Sequence, residues 1–520
     1  MSPQQGEDES CTGFMYFIRR QLRTLREAVF EWRNTRKVLD YSTTNCDPHP
    51  FPHPDSDRLE HCYKYGYGKG KFCPVLLDEK LGNYKVTAKL GHGNFATVWQ
   101  AEPIKELSDL QYESVAIKVC SNNKKDTKDD IIEAKVLQKL GKRTDGKGDF
   151  GKNHMVKVEE CFYTAGHFGN HFCIVQEAIG PTLDHYLKIA EKQARGAFEY
   201  DVAKKVAFQL YSAVSWLHAA GYGHGDIHPY NVLMKEQGFK AAKNVKREVC
   251  YANCKPEDRA FMPPYLVACI DGDLTDSTPL KFETCDARLA DFGQTFKKNH
   301  PRRLYRMTTP KGNRSPEWVF KHVPITISID VWSIACITYR MVTGKHLMLV
   351  EERYQDENGK YLHKRTKSDI NNDHMPMMVD LLGTPPAWLI NKWDISGLQP
   401  IDWKSTTPEG SLHARIQQDR PADMSDAEAA LFEDFLRQTL AWDYRHRATA
   451  KDIVQHEWFQ SILTEKDEKA LNAMLAPSQC EFLSTLKRGC TKVPAKIGGL
   501  FAQKVELESE PGKGDYYESD

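Results

Sequence analysis

The chain has 520 residues, of which 40% are apolar and 27% are charged, as in an ordinary soluble globular protein. Its 71 lysines and arginines balance 71 aspartates and glutamates, so no overall field favours nucleic acid or a membrane surface as a partner. No apolar stretch approaches the roughly 18 residues of a membrane span, and the 14 cysteines follow no regular framework. We expect two or three domains, or one large fold with extensions, in the cytoplasm or nucleus.

Residues 1–57 differ in pattern from the rest of the chain. The stretch "FMYFIRRQLRTLREAVFEWRNTRKVL" predicts a basic amphipathic helix. We interpret it as a helix that docks on this protein or on a partner, and a membrane-surface anchor stays open. The acids of "QQGEDES" disfavour a mitochondrial presequence. A Pro-rich linker, "CDPHPFPHPDSD", follows the predicted helix.

Short β-branched runs begin near Tyr84 and predict five strands, "YKVTAKL", "ATVWQAE", "SVAIKVC", "MVKVEECFYTA" and "HFCIVQEA". One helix, "DDIIEAKVLQKL", lies between the third and fourth strands. After "PTLDHYLK", helical patterns dominate, including "EYDVAKKVAFQLYSAVSWLHAAG" and the largely apolar "SIDVWSIACITYRMVTG". This order predicts an α+β fold in which a small β-rich lobe precedes a helical lobe, with a cleft between them.

Two later segments lack such a pattern. Residues 235–283 form an insertion of low predicted order that contains Cys250, Cys254 and Cys269. Zinc binding is disfavoured there because no second close pair of cysteines or histidines follows. The last 55 or so residues, ending "ELESEPGKGDYYESD", predict a partly disordered acidic tail.

The first candidate site residues lie in the β-rich part. "LGHGNFATVW" offers Gly91 and Gly93, where backbone amides can approach a phosphate, although a plain hairpin turn explains the glycines as well. "VAIK" places Lys118 inside an apolar strand, where a lysine is costly unless it is paired. Glu133 in "IIEAKVL" would pair with it and aim the ammonium at a nucleotide phosphate. The alternative is an edge-strand lysine that reaches water.

The remaining motifs follow in order along the chain. "HGDIHPYNVLM" contains Asp226, His228 and Asn231, and "LADFG" contains Asp291, whose carboxylate suits Mg²⁺. "RSPEW", "DVWS" and "WDYRHRAT" then supply three further residues, Glu317, Asp330 and Arg447. We expect a buried pair between Glu317 and Arg447, and we expect Asp330 to hold the backbone of the loop around Asp226. Each fragment is common alone, but the ordered set indicates one architecture.

From about Leu59 to Phe459, this set resembles a eukaryotic protein kinase. Within that class the chain resembles the SR-protein kinase (SRPK) family in a divergent fungal-type form. The narrower match rests on the leading segment "EHCYKYGYGKGKFCPVLLDEKLGNYKVTAKL", the hinge-like "CIVQEAIGPTL", the spacer between Asn231 and Asp291, and "DHMPMMVDLLG". The docking acids of that family would fall on Asp373 and Asp380 of the last segment.

The resemblance implies a two-lobed kinase fold with an N-lobe at 58–178, a C-lobe at 179–460 and a tail at 461–520. It implies transfer of the ATP γ-phosphoryl group, with Mg²⁺, to serine or threonine hydroxyls of proteins, among them arginine/serine-rich splicing factors that act in mRNA processing. A monomer without direct nucleic-acid binding is expected.

The resemblance also implies a role for each site residue. Asp226 would accept the hydroxyl proton, Glu133 would hold Lys118 against the phosphates, and His228 would contact the transferring phosphoryl group. Asn231 and Asp291 would ligate Mg²⁺. The nucleotide would lie against Leu90, Gly91, Gly93, Val98, Ala116, Lys118, Glu177 and Ile179.

The chain departs from the kinase pattern at two positions of the central motif. Gly225 stands where many kinases carry an arginine that receives a phosphorylated loop residue, so control by loop phosphorylation is not expected. His228 replaces a lysine, which predicts a slower enzyme rather than an inactive one.

Two other function classes and one conflicting segment stay open. Small-molecule kinases of the aminoglycoside and choline type share a similar His-Gly-Asp-x-His pattern, and a pseudokinase scaffold is the third class. "KKNHPRRLYRMTTPKGNR" is basic without an acid, which does not favour an arginine-rich substrate unless this loop points away from it.

Overall fold

The computed structural model describes residues 67–475, with gaps at 68–69, 94, 105–112, 144–150, 236–246, 249–262, 264, 268, 270–278, 299–308, 321–322, 351–352, 356–360, 365–366, 395–399 and 404–409. The amphipathic segment and linker predicted within 1–57, and the tail beyond 475, lie outside this range. No helix in the described part of the chain is long and apolar enough to cross a bilayer.

The N-lobe is built on a six-stranded antiparallel sheet of order β1-β2-β3-β4-β6-β5. Its strands are β1 (Lys80–Leu81), β2 (Tyr84–His92), β3 (Ala96–Pro103), β4 (Val115–Cys120), β5 (Val158–Gly166) and β6 (Gly169–Glu177), and helix α1 (Lys124–Lys142) packs beside them. Alternation divides the side chains between two faces. One face forms a core with Val86, Trp99 and Ile117, and the other meets Ala134 of α1.

The sheet differs from the sequence prediction at two points. β1 is an additional strand, and two residues are too few to produce a readable alternation. The fourth predicted run began at Met155, whereas β5 begins at Val158. Met155 instead forms a bridge with Leu289, and the Val156 amide donates to the Leu289 carbonyl at 3.0 Å. This short segment therefore ties the N-lobe to the C-lobe.

The C-lobe is largely helical. Its helices are α2 (Leu183–Glu191), α3 (Tyr200–Ala219), α4 (Ser328–Thr343), α5 (Lys367–Leu382), α6 (Ala387–Asp394), α7 (Leu412–Asp419), α8 (Asp426–Thr439), α9 (Ala450–Ile453) and α10 (Glu465–Leu475). Short strands pair as β7 (Tyr222–Gly223) with β12 (Phe296–Lys297), β8 (Val232–Met234) with β11 (Ala287–Leu289), β9 (Arg247–Glu248) with β10 (Leu266–Val267), and β13 (Arg353–Gln355) with β14 (Tyr361–Lys364).

Helix α3 is the centre of the C-lobe core. Sixteen of its 20 residues are buried, so its burial extends well beyond one apolar stripe. Aromatic rings of the C-lobe close over it, with Phe208 5.5 Å from Phe459 and Tyr211 5.7 Å from Phe435 between ring centroids. The β8–β11 pair packs beside this helix, so the loops that carry Asp226 and Asp291 rest on a rigid base.

The predicted pair of Glu317 and Arg447 is present and fully buried. Arg447 Nη1 donates to Glu317 Oε1 at 2.8 Å, and the side chains are 0% and 1% exposed. The guanidinium also donates to the Ala441 carbonyl at 2.9 Å and lies 5.1 Å from the Trp332 ring. The pair fastens the segment that precedes α4 to the loop between α8 and α9.

The described residues of the 235–283 insertion include the β9–β10 strand pair. Its β9–β10 pair contributes Val267, 1% exposed, to the core of the N-lobe sheet. The Leu77 amide donates to Tyr265 Oη at 3.2 Å. Cys250 and Cys254, weighed above as a zinc pair, lie outside the described residues. Helix α10 continues regular structure to Leu475, and the rest of the predicted tail lies outside the described residues.

We predict that Arg447→Met destabilises the protein by about 3–5 kcal/mol, because it leaves the Glu317 carboxylate buried without its partner. Thermal and urea unfolding would measure the loss. Arg437→Met is the matched control, because its arginine side chain is 52% exposed and Glu433 keeps His413 as a second partner. Such a pair is worth at most about 1 kcal/mol. Equal losses in both variants would contradict the structural role of the buried pair.

Candidate active site

Lys118 lies where the two lobes meet. All other positions of strand β4 are buried, and Lys118 is partly open, with its side chain 14% exposed. Its Nζ donates to Glu133 Oε2 at 2.8 Å and to Asp291 Oδ1 at 2.9 Å. The pairing predicted between Lys118 and Glu133 is therefore present. One ammonium joins a carboxylate of the N-lobe to a carboxylate of the C-lobe.

The two carboxylates differ in their electrostatic setting. Burial raises the pKa of Glu133, and the Lys118 ammonium opposes that rise. Burial would also raise the pKa of Asp291, but Lys118 outweighs it and lowers the pKa to about 2. Asp291 thus stays ionised at physiological pH, as a metal ligand must, and half of its side chain is open to the cleft.

The backbone at Asp291 is held in an unusual conformation. Asp291 has φ 58°, in the left-handed region, and its side chain caps the following turn through the Gly293 amide. Conformations of this kind cost about 1–3 kcal/mol and persist where surrounding contacts impose them. Here the Phe292 amide donates to Glu133 Oε1 at 3.1 Å. Glu133 therefore positions Lys118 with one oxygen and the Asp291 loop with the other.

Asp226 and Asn231 lie on one hydrogen-bonded loop. The Asn231 Nδ2 amide donates to the Asp226 carbonyl at 2.9 Å, and the Ala290 amide donates to the Asn231 carbonyl at 2.9 Å. The second bond brings Asn231 beside the residue that precedes Asp291. Because the nitrogen donates to the Asp226 carbonyl, the oxygen is the Asn231 side-chain atom that could ligate a cation. An amide oxygen and an ionised carboxylate are donors that fit a hard divalent cation.

His224, which the sequence analysis did not single out, supports this loop. The Asp226 amide donates to His224 Nδ1 at 3.2 Å, and His224 Nε2 lies 3.0 Å from the Ala290 carbonyl. Burial lowers the pKa of His224, which keeps the ring neutral with one nitrogen accepting and the other donating. Nothing in the sequence except its place next to Gly225 could have indicated this role.

Asp330 holds the backbone of the same loop, as predicted. Its carboxylate accepts from the His224 amide at 2.8 Å and the Gly225 amide at 2.9 Å. His218 Nε2 lies 2.9 Å from the same carboxylate. Gly225 has φ 85°, a conformation that side chains other than glycine rarely adopt.

The segment after Asp291 also contacts this loop. Thr309 is 2% exposed, and its Oγ1 donates to the Gly225 carbonyl at 3.0 Å. Arg314 Nε donates to the Thr309 carbonyl at 2.7 Å. In this arrangement the Thr309 hydroxyl is engaged and shielded from modification, whereas Thr308 lies outside the described residues.

His228 occupies the position where a kinase lysine was expected. Its Nε2 lies 3.7 Å from Asp226 Oδ1, and the two side chains are 14% and 6% exposed. The imidazole is therefore close enough to the predicted catalytic carboxylate to touch the same reacting group. Its contribution to catalysis stays a prediction.

The residues predicted to hold a nucleotide lie on strands that border the cleft. Gly91 pairs with Val98 across β2 and β3, and β4 carries Ala116 as well as Lys118. A Cβ added at Gly91 or Gly93 would meet no atom within 4 Å, so both glycines face open space.

The other predicted nucleotide contacts lie nearby on β2 and at the end of β6. Leu90 is half-buried on β2. Glu177 is buried at the end of β6, where its carboxylate accepts from the Lys157 amide at 3.3 Å. Ile179 is buried two residues later. Their contact with a nucleotide stays a prediction.

Comparison with known proteins identifies this arrangement. A model of the protein kinase domain matches residues 84–265 and 273–459. Serine/threonine-protein kinase AFC3 of Arabidopsis thaliana is 26% identical over 413 residues, which cover 75% of this chain and 86% of that kinase. Serine/threonine-protein kinase SRPK of Physarum polycephalum is 24% identical over 430 residues, covering 76% and 90%. The human dual specificity tyrosine-phosphorylation-regulated kinase 4 is 24% identical over 395 residues, covering 75% and 60%.

The kinase-domain match covers well over half of the chain, and it spans every residue predicted above to be catalytic or metal-binding. It decides between the protein kinases and the small-molecule kinases weighed from the sequence. A protein kinase uses ATP with a divalent metal and acts on proteins. The chain belongs to the eukaryotic protein kinase family, among relatives that are serine/threonine-protein kinases.

Proposed function

We propose that this kinase transfers the γ-phosphoryl group of Mg²⁺-bound ATP to serine or threonine hydroxyls of arginine-rich proteins. The observation that carries the proposal is the complete set of charged contacts at Lys118, with Glu133 and Asp291 both within 2.9 Å of its ammonium. A scaffold without catalysis would be expected to lack a nucleotide or metal ligand, and this chain keeps a residue of the expected type at each of these positions.

The residues divide the reaction among them. Asp226 accepts the proton of the substrate hydroxyl as the oxygen attacks, and Lys118 binds the phosphate oxygens of the nucleotide. Asn231 and Asp291 would hold the metal, which supplies positive charge against the phosphates when bound. His228 donates a hydrogen bond to the transferring group. Rate enhancement then comes from positioning and fixed charge rather than from covalent chemistry.

Activation-loop phosphorylation is dispensable in this proposal. Many kinases need a phosphate to pull the loop into place, but Gly225 leaves no arginine to receive one. The Thr309 hydroxyl makes the equivalent link directly, through its bond to the Gly225 carbonyl.

The substrate preference rests on two acids of helix α5. Asp373 is exposed and Asp380 is half-buried, and they lie two turns apart on the solvent-facing side of the helix. Two carboxylates at this spacing can pair with arginines of an extended basic peptide. The basic segment "KKNHPRRLYRMTTPKGNR" counted against an arginine-rich substrate. One of its arginines, Arg314, packs into the fold against Thr309 and the Trp318 ring. Part of that segment is therefore structural.

The name of the Physarum relative and the resemblance of the leading and spacer segments support the same substrate class. We further propose that the protein is a monomer that works in the cytoplasm or nucleus and acts on protein rather than on nucleic acid. The balanced charge of the chain fits this assignment, because it provides no general attraction to nucleic acid.

The proposed function predicts phosphorylation of an arginine-rich serine peptide in preference to acidic and neutral peptides of equal length. Labelled ATP with Mg²⁺ would measure transfer, and Asp226→Asn should abolish it while leaving nucleotide binding intact. Phosphatase pretreatment should leave the rate unchanged. Nucleotide binding without transfer to any peptide would identify a scaffold, and preference for the acidic peptide would overturn the substrate class.

The same peptide tests the docking acids. The double variant Asp373→Asn/Asp380→Asn should weaken binding several-fold, and more at low salt, because exposed charge pairs contribute up to about 1 kcal/mol each. Glu465→Gln/Glu468→Gln on α10 removes the same charge from a remote exposed site and is the control. Equal effects of the two double variants would remove the docking role.

We predict that replacing His228 by lysine increases kinase activity. His228→Lys should raise kcat about tenfold, because a fixed preorganised cation at a developing charge is commonly worth that much or more. KM for ATP should change little. His167→Lys adds the same charge to an exposed turn of the N-lobe and should leave kcat unchanged. A His228→Lys variant no faster than wild type would show that the imidazole has taken over the role of the lysine.

A further inference from the structure

The insertion brings a cysteine to the hairpin that covers the nucleotide site. Cys269 follows β10 and is half-buried, and its Sγ lies 3.3 Å from His92 Nδ1. His92 is the last residue of β2 and stands between Gly91 and Gly93. A thiol and an imidazole at this distance can exchange a proton to give a thiolate and an imidazolium.

A buried lysine lies in the same cluster. Lys89 is 0% exposed, and its Nζ lies 5.5 Å from the centre of the Trp99 ring. Burial lowers the pKa of Lys89 to about 8, and the neighbouring Cys269 opposes that shift. The ammonium and the thiolate therefore favour each other's charged form. Tyr67 contributes no charge, because burial together with Cys73 and Cys269 raises the pKa of its hydroxyl.

The other described cysteines have a different environment. Cys73, Cys120, Cys161, Cys173, Cys285 and Cys336 are all buried, so among the described cysteines Cys269 alone is half-exposed. Burial raises the pKa of Cys161, Cys285 and Cys336 to about 12, which leaves these thiols protonated and unreactive.

The contact is held by packing on the N-terminal side of Cys269. Val267 lies in the hydrophobic core of the N-lobe sheet, and Tyr265 Oη accepts from the Leu77 amide at 3.2 Å. These two residues precede Cys269 by two and four positions. The thiol is therefore fixed against the hairpin rather than carried on a free loop.

We propose that Cys269 is a reactive thiol that forms mixed disulfides with small disulfides and that this modification weakens nucleotide binding through His92. The thiol proton passes to His92 Nδ1, and the thiolate attacks one sulfur of the small disulfide. A new S–S bond forms, the original S–S bond breaks, and the leaving thiolate takes the proton. The protein thiol is oxidised as the small disulfide is reduced.

The consequence for nucleotide binding follows from the position of His92. A group attached to Sγ occupies the space between the insertion and the hairpin, so the 3.3 Å contact with His92 cannot persist. The hairpin then moves at Gly91 and Gly93, whose amides are expected to meet the phosphates. The thiol chemistry is independent of the proposed function, whereas its effect on nucleotide affinity rests on the kinase assignment.

The test is to treat the full chain with oxidised glutathione and to follow each cysteine by peptide mass spectrometry. Cys269 should react faster than the buried described cysteines, and His92→Gln should slow its reaction at least about tenfold, because an unassisted thiol is only a few per cent thiolate at pH 7. Lys89→Met should slow it as well. Equal rates for wild type and His92→Gln would overturn the proposal.

The second measurement is the affinity for an ATP analogue before and after modification. Affinity should fall at least about threefold on modification and return on reduction, with thermal unfolding showing that the protein stays folded. Cys269→Ser should bind the analogue normally and be insensitive to oxidised glutathione. If Cys269 is modified and affinity is unchanged, the regulatory part is wrong; if unmodified wild type fails to bind the analogue, the kinase assignment is at fault instead.

Discussion

The contact of the Lys118 ammonium with Glu133 and Asp291 is the interaction on which the rest of the site depends. It satisfies a fully buried carboxylate in the N-lobe and keeps the Asp291 carboxylate ionised in the C-lobe. A buried carboxylate left without this partner would be costly. Glu133 also accepts the Phe292 amide, so the same carboxylate orients the loop expected to bind the metal. The contact between the lobes and the arrangement of the site therefore depend on the same ammonium group.

Beneath this contact lies a set of buried polar groups that position Asp226 without touching the substrate. Asp330 accepts two backbone amides of the loop, and His224 links that loop to Ala290 next to Asp291. Polar networks are stabilising inside a protein only when their members are satisfied. The Asp226 carboxylate is therefore positioned by residues on α4 and on the loop itself. Together with Gly225 in place of the usual arginine, this arrangement fits the proposal that control lies elsewhere, such as at Cys269.

The sequence predicted those features that depend on local pattern or on ordered motifs. Alternation located five strands of the N-lobe, and motif order paired Lys118 with Glu133 and Glu317 with Arg447. Features set by tertiary contacts were not predictable. The packing of Val267 on the N-lobe sheet depends on where the insertion folds back, and its own sequence carries no sign of that. His224 and Thr309 act through hydrogen bonds to residues that only the fold brings near. Helix α10 lies beyond the last motif that marked the domain, so no motif indicated it.

The most direct test of the central claim is a double-mutant cycle on phosphoryl transfer with Lys118→Met, Glu133→Gln and both together. If Glu133 acts by positioning Lys118, each single variant should lose activity by about 100-fold or more and the double variant should be little worse than the Lys118 variant. Thermal unfolding of all three proteins would confirm that each is folded. Losses that multiply in the double variant would show that the two residues act independently and would contradict the account.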